Sequence, residues 1–237
     1  PGSVVEFLDV IDALAEPGDA SVPAFHVVAP SLPGYGFSDK PKETGWNYER
    51  TADAWTTLMR RLGYKRFVAQ GGDWGAVVTA TIGAIASPET VGIHLNMAVV
   101  YPTPEMGVET PEEQAVVDKL SWYFKYDSGY MKLQNTRPQT IGYSLADSPI
   151  GQAAWIYEKC HAWTDNNGDP EDALSMYQML DNISLYWFTN TGASSARFYW
   201  ELGDGFAAKE IHLPVGVSIF PAETLQPSRR WTERAAC

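Results

Sequence analysis

Cysteine is scarce: the 237 residues hold only Cys160 and Cys237. A single pair is no disulfide framework, so a reducing compartment is favoured and a cytoplasmic location is expected. No apolar run reaches the ~18 residues of a membrane span. The opening Pro1-Gly2-Ser3 offers neither an initiator Met nor a charged leader, so no targeting segment can be read there. Basic residues are few, 17 Lys and Arg against 29 Asp and Glu, and the net charge of -12 argues against nucleic acid as a partner. Internal repeats and low-complexity tracts are lacking. The four histidines and two cysteines show no tetrahedral-ligand spacing, so no metal is expected. Gly34-Tyr35-Gly36 lacks a third glycine opening a helix, so it is read as a turn and not as a dinucleotide fingerprint. No cofactor is expected. What remains is ordinary globular composition, 45% hydrophobic and 19% charged, in a chain long enough for a sizeable core.

Apolar residues at Val4, Phe7, Leu8, Ile11 and Leu14 have helical spacing, with Ser3 as N-cap. Phe25 to Ala29 reads as a buried strand stopped by Pro30 and the turn-rich run to Ser38. Trp55, Leu58, Met59 and Leu62 mark a second helix closed by Gly63. A short strand (Arg66 to Gln70), a tight turn, a small-residue helix (Ala76 to Ala86) and an alternating strand (Val91 to Met97) follow. Short connections between alternating strands and helices mean an α/β fold with a mostly parallel sheet. From about Tyr101 roughly a hundred residues carry helical patterns and many aromatics but no strand, until Val215 to Phe220 returns as a buried strand. The expected organisation is a core over residues 1–100, a helical lid over 101–210 and the rest of the core over 211–237.

The turn Gly71-Gly72-Asp73-Trp74-Gly75 lies between strand and helix, where a nucleophile elbow belongs. Such a turn strains the nucleophile's backbone, and Gly71 and Gly75 are expected to let strand and helix pack closely around it. It also lifts the side chain to a helix N-terminus, which favours an anion. Here the nucleophile is Asp73. A carboxylate attacking electrophilic carbon forms an ester that a second step must hydrolyse, which points to epoxides or alkyl halides. The competing reading is that Asp73 merely caps the following helix.

The run AQGGDWG, preceded by PSLPGYGFSDKP, resembles the epoxide hydrolases of the microsomal, juvenile-hormone and fungal type. The likeness continues in GIHLNMA, in DSGYMKLQNTRPQTIGYSLADSPIGQAAWIYEK and in ARFYWE, and so covers nearly the whole chain. It implies an α/β-hydrolase fold with a helical lid inserted between strands, and detoxifying hydrolysis of a small apolar epoxide by water. By the same resemblance Tyr130 and Tyr199 are the acids that meet the opening alkoxide, a role suited to a phenol of pKa near 10. Glu223 matches the carboxylate that orients a catalytic histidine. The backbone N–H of Trp74 is one oxyanion donor, and the other comes from a His-Gly-X-Pro loop whose tail Pro1-Gly2-Ser3 resembles.

The histidine itself is expected beyond residue 237. His26 and His212 enter strands at the wrong edge, His94 lies inside a strand and His161 lies in a lid helix. The sequence therefore reads as a fragment open at both ends, able to alkylate Asp73 but not to turn over. Two other readings stand beside this one. A haloalkane dehalogenase shares the fold and an Asp-Trp elbow but needs no tyrosine acid, and a non-catalytic ligand-binding protein of the same fold needs no histidine. A homodimer is left open.

Overall fold

The computed structural model describes residues 2–202 and 210–235, so Pro1, Cys237 and the last stretch of the expected lid, 203–209, lie outside it. The chain divides into two compact, interleaved units, residues 1–44 with 136–200 and residues 45–135 with 201–237.

The second unit carries the sheet. Helix α2 (Tyr48–Arg61) is capped by the Asn47 side chain and closed at Gly63, whose φ of 87° is the left-handed turn that ends many helices. Strand β1 (Phe67–Gly71) leads into α3 (Trp74–Ile85), and β2 (Thr90–Asn96) returns parallel to β1. β3 (Val215–Ser218) adds parallel to β2, giving the order β1-β2-β3. The core gathers where α3 meets the sheet: Ala76, Ile93, Leu95 and Ala98 are buried, with Ala69, Ala80, Val99 and Ile211 packed around them. Small side chains on α3 let helix and sheet approach. A side chain on Gly83 would meet Ile93 at 2.9 Å, and one on Gly71 would run into the backbone of Gly75 and, at 2.7 Å, into Thr79 Oγ1. Gly75, in contrast, has open space around it, so the close packing expected of both glycines falls on Gly71. The same unit holds α4 (Pro111–Trp122), a π turn over Tyr123–Asp127, most of α5 (Gly129–Thr136) and the last helix, α10 (Arg229–Ala235).

The first unit opens with a 3-10 turn (Val4–Phe7) capped by Ser3 and continued by α1 (Leu8–Ala15). It then holds α6 (Pro138–Asp147), α7 (Pro149–Trp163), α8 (Met176–Thr189) and α9 (Gly192–Trp200), so its regular structure among the described residues is helical. Ile156, Ile183 and Tyr186 form its core, with Tyr35 against them. α6 and α9 meet through their smallest residues, Gly142 against Ala193 and Gly192 against Leu145. The turn Gly34-Tyr35-Gly36, with φ of 86° and 45° at its glycines, docks on α8 and α9. Ser194 Oγ donates to the Gly34 carbonyl at 2.6 Å, Tyr35 Oη donates to the Ser195 carbonyl at 3.1 Å, and the Tyr35 ring stands edge-on to Tyr186 and Phe198.

Two sequence expectations need correction. Phe25 to Ala29 is irregular chain outside the sheet and not a buried strand, with Phe25 46% exposed. Val215 to Phe220 is a strand only over Val215–Ser218, and Val215, Val217, Ile219 and Phe220 are all exposed. Both runs are apolar enough for burial. But a buried strand needs strands on both edges, and among the described residues β3 has only β2, while Phe25 to Ala29 is not part of the sheet.

The segment after β3 is tied down by an ion pair. Helix α10 (Arg229–Ala235) presents Arg230, whose Nε and Nη2 donate to the two carboxylate oxygens of Glu113 at 3.0 and 2.6 Å. Nη1 reaches Glu109 at 2.9 Å and the Met106 carbonyl at 2.6 Å. Glu113 is only 2% exposed, and Ser228 Oγ and the Glu109 N–H also donate to it. Beside it, fully buried Trp231 donates to the Gly107 carbonyl. The guanidinium holds the Glu113 carboxyl at about 2, below its ordinary 4.5.

Two outcomes follow for stability. The Glu113 contribution is complete above the ordinary value of 4.5 and is lost as pH falls toward 2. Denaturant titrations should therefore show wild type losing stability across that window and Glu113→Gln, weaker at neutral pH, lacking that part of the slope. Gly71→Ala forces a methyl group into the α3 backbone, and its cost should reach the upper end of the roughly 1–3 kcal/mol of ordinary overpacking, read as a lower denaturation midpoint.

Candidate active site

Gly72 and Asp73 turn the chain between β1 and α3. Asp73 stands at φ 48°, ψ -127°, a conformation that costs a residue with a side chain roughly 1–3 kcal/mol. Its Oδ1 accepts a 2.6 Å hydrogen bond from the N–H of Trp74, the very next residue. Ordinary caps in this protein look different. Asn47, Thr110, Ser148 and Ser175 have extended backbones and accept from the N–H three residues on. Asp73 shares neither feature, so its geometry is that of an elbow and not of a simple helix cap. Its side chain is exposed while Trp74 is buried, and among the described residues no hydrogen bond reaches its second carboxylate oxygen.

The turn is buttressed from the end of β2. The Asn96 side chain abuts Gly72 closely enough that any side chain there would collide with it, and Asn96 Oδ1 accepts from Gln70 Nε2 at 2.6 Å. Met97, next along, has a left-handed φ of 56°, so β2 ends sharply and the chain turns toward Tyr101.

Three further groups lie within the field of the Asp73 charge. Tyr123, on the π turn after α4, has its pKa pushed up to about 12 by burial, with Tyr101 and Asp73 adding to the rise and the hydrogen bond with Tyr130 opposing it. Tyr123 Oη and Tyr130 Oη are 2.8 Å apart. Tyr101 is raised by burial and then by Asp73. Glu223, in the turn after β3, is raised by burial and by Asp73 against the Thr224 N–H and Lys119. That turn is closed by the Glu223 N–H on the Phe220 carbonyl at 3.1 Å, and Lys119 Nζ on α4 donates to the Glu223 carbonyl.

Of the residues singled out in the sequence, Asp73, Trp74, Tyr130 and Glu223 thus belong to the unit that holds the sheet. Tyr199 belongs to the other, on α9, where it is buried at 7% exposure. Tyr101, Tyr123 and Asn96 were not found from the sequence. The signal for Tyr123 is its place seven residues before Tyr130, about two helical turns, but the dense run Trp122 to Tyr126 hides it. As for the histidines, His94 lies in β2 with Nε2 2.9 Å from Ser218 Oγ, His161 lies in α7, and His212 stands beside Glu210 before β3. Among the described residues no group of three or more His, Cys, Asp or Glu could hold a metal ion, and no helix is long and apolar enough to cross a membrane.

Comparison with known proteins places this geometry in a family. A protein of Stigmatella aurantiaca named "Putative epoxide hydrolase" is 55% identical over 239 residues, covering 99% of this chain and 54% of its own length. Epoxide hydrolase 1 of Oryctolagus cuniculus is 35% identical over 98% of this chain and 58% of its own. The crystal structure of juvenile hormone epoxide hydrolase from the silkworm Bombyx mori superposes with a TM-score of 0.85 at 32% identity, over 95% of this chain and 59% of that one. The chain thus spans a little over half the length of the curated relatives it matches. The family profile described as alpha/beta hydrolase fold matches residues 1–130. With the elbow, the parallel sheet and these relatives in agreement, the chain belongs to the alpha/beta hydrolase fold family.

Proposed function

We propose that this chain carries the ring-opening chemistry of an epoxide hydrolase. The observation that carries the reading is the Asp73 elbow. One carboxylate oxygen is held by the Trp74 N–H, which leaves the other as nucleophile, and a pair of tyrosine hydroxyls stands in the unit that holds Asp73. The similarity to relatives named epoxide hydrolases supports it.

In the proposed step, the second Asp73 oxygen attacks a ring carbon and forms a C–O ester bond while the ring C–O bond breaks. The oxygen released by the ring takes a proton from Tyr130 or Tyr199, leaving a phenolate, and the other hydroxyl hydrogen-bonds to it. The ester carbonyl oxygen then rests on the Trp74 N–H, one of the donors that stabilises the tetrahedral intermediate when water attacks. Water cleaves the ester to a vicinal diol, returns Asp73 to a carboxylate and returns the proton to the tyrosine. Glu223 is given the task of orienting the base that activates this water. None of His26, His94, His161 or His212 is assigned as that base, and residues 101–210 are assigned the lid.

Incubation of the folded chain with a reactive aryl epoxide should raise its mass by one substrate, mapped to the Asp73 peptide, with little diol released. Asp73→Asn should abolish the adduct, and its persistence in that variant would remove the nucleophile assignment. Tyr199→Phe and Tyr130→Phe should each slow adduct formation about 100-fold, the lower end of what a positioned acid contributes. The aspartate–tryptophan pair at the elbow also suits an alkyl halide. An alkyl bromide of the same skeleton should react far more slowly than the epoxide and be indifferent to both tyrosine changes. A faster bromide would favour dehalogenase chemistry.

A further inference from the structure

The Tyr123–Tyr130 pair is built at a local irregularity. Between α4 and α5 the chain widens into the π turn Tyr123–Asp127, closed by the Ser128 N–H on the Tyr123 carbonyl at 2.9 Å. Ser128 Oγ fixes the same turn by donating to the Phe124 carbonyl at 2.7 Å. Such turns are rare and are frequently found at functional sites. Here the turn carries one tyrosine and the following helix the other, with their hydroxyl oxygens 2.8 Å apart. The ring of Tyr123 is held edge-on to Phe124 at 5.3 Å, so the hydroxyl is not needed to keep the ring in place.

We propose that Tyr123 is a positioning residue for ring opening, its hydroxyl donating to the Tyr130 oxygen so that the Tyr130 proton is directed to the epoxide oxygen. The inference rests on the reading of Tyr130 as an acid. A phenol has one proton to donate and lone pairs to accept. Either oxygen of the pair can donate at rest, but once Tyr130 points its proton at the substrate, Tyr123 must be the donor between them. As the Tyr130 proton passes to the alkoxide, the Tyr130 oxygen becomes phenolate and the bond from Tyr123 becomes charge-assisted. An interaction stronger in the transition state than before it accelerates the step. Tyr123 keeps its own proton throughout: burial and the neighbouring charge push its pKa to about 12, which makes it a fixed donor and not a relay.

The test is the rate of Asp73 alkylation by an aryl epoxide, read by intact mass in the full chain as a function of concentration and pH. Tyr123→Phe should lower the saturating rate about tenfold with little change in the half-saturating concentration. It should also shift the basic limb of the pH profile upward, because a phenolate that loses a donor has a higher pKa. In a Tyr130→Phe background the same change should cost nothing more. Replacing Tyr123 by 3-fluorotyrosine, nearly the same size and a stronger donor, should keep the rate and move the limb downward, and it tests the idea even if Tyr123→Phe folds poorly by circular dichroism. If Tyr130→Phe leaves alkylation unchanged, the acid reading of Tyr130 falls and this inference with it. If Tyr130→Phe slows alkylation while Tyr123→Phe does not, or slows it equally in both backgrounds with an unmoved limb, the positioning role alone is overturned. An unmoved limb in the fluorotyrosine protein overturns it as well.

Discussion

The contact between Gly71 and the backbone of Gly75 is the constraint on which the rest of the sheet-bearing unit depends. It lets the end of β1 lie directly against the first turn of α3, which forces the two residues between them into a tight reversal. That reversal is what holds Asp73 at a positive φ and places the Trp74 N–H on its carboxylate. Asn96 closes on Gly72 from the neighbouring strand, so the parallel pairing of β1 and β2 is itself part of the turn. Strain at Asp73 is sustained by two packing contacts, Gly71 on Gly75 and Asn96 on Gly72.

Electrostatics around the turn follow from the same placement. Asp73 is exposed, while Tyr123 and Glu223 are half-buried, and these two and Tyr101 sense its charge. All three are shifted toward their protonated forms, with burial the larger cause in each case. An exposed carboxylate beside a half-buried phenol is the division that the proposed chemistry asks of a nucleophile and a group that keeps its proton.

Much of this was legible in the sequence, for physical reasons that differ from residue to residue. The elbow could be read because a glycine two residues before an aspartate, at a strand-to-helix junction, is a local steric requirement. Helices α1, α2 and α3 could be read from periodicity and their end signals. Tyr130 and Tyr199 stand out among 12 tyrosines only through the phrases around them, and their role as acids is a proposal. Tyr123 and Tyr101 were hidden because an aromatic-rich stretch carries no period that separates a packing ring from a functional one. The pair Arg230–Glu113 was invisible because its partners are 117 positions apart. The runs Phe25 to Ala29 and Val215 to Phe220 were misjudged because composition reports a capacity for burial, whereas burial itself depends on which neighbours are present.

The interleaving of the two units has a consequence for the order in which they can form. The chain passes from one unit to the other after residues 44, 135 and 200, so neither is encoded in one continuous stretch. During synthesis at roughly 5–20 residues per second, residues 1–44 must wait for α6 to α9, and α2 to α5 must wait for β3 and α10. For Glu113 the wait concerns a buried charge. It lies on α4, but the guanidinium that neutralises it arrives only with Arg230, more than a hundred residues later. Until then a carboxylate destined for the interior has no counter-charge, so α4 cannot settle into its native burial early. Closure of this unit is therefore a late, long-range event, of the kind that makes folding slow and leaves apolar strand edges open in the interval.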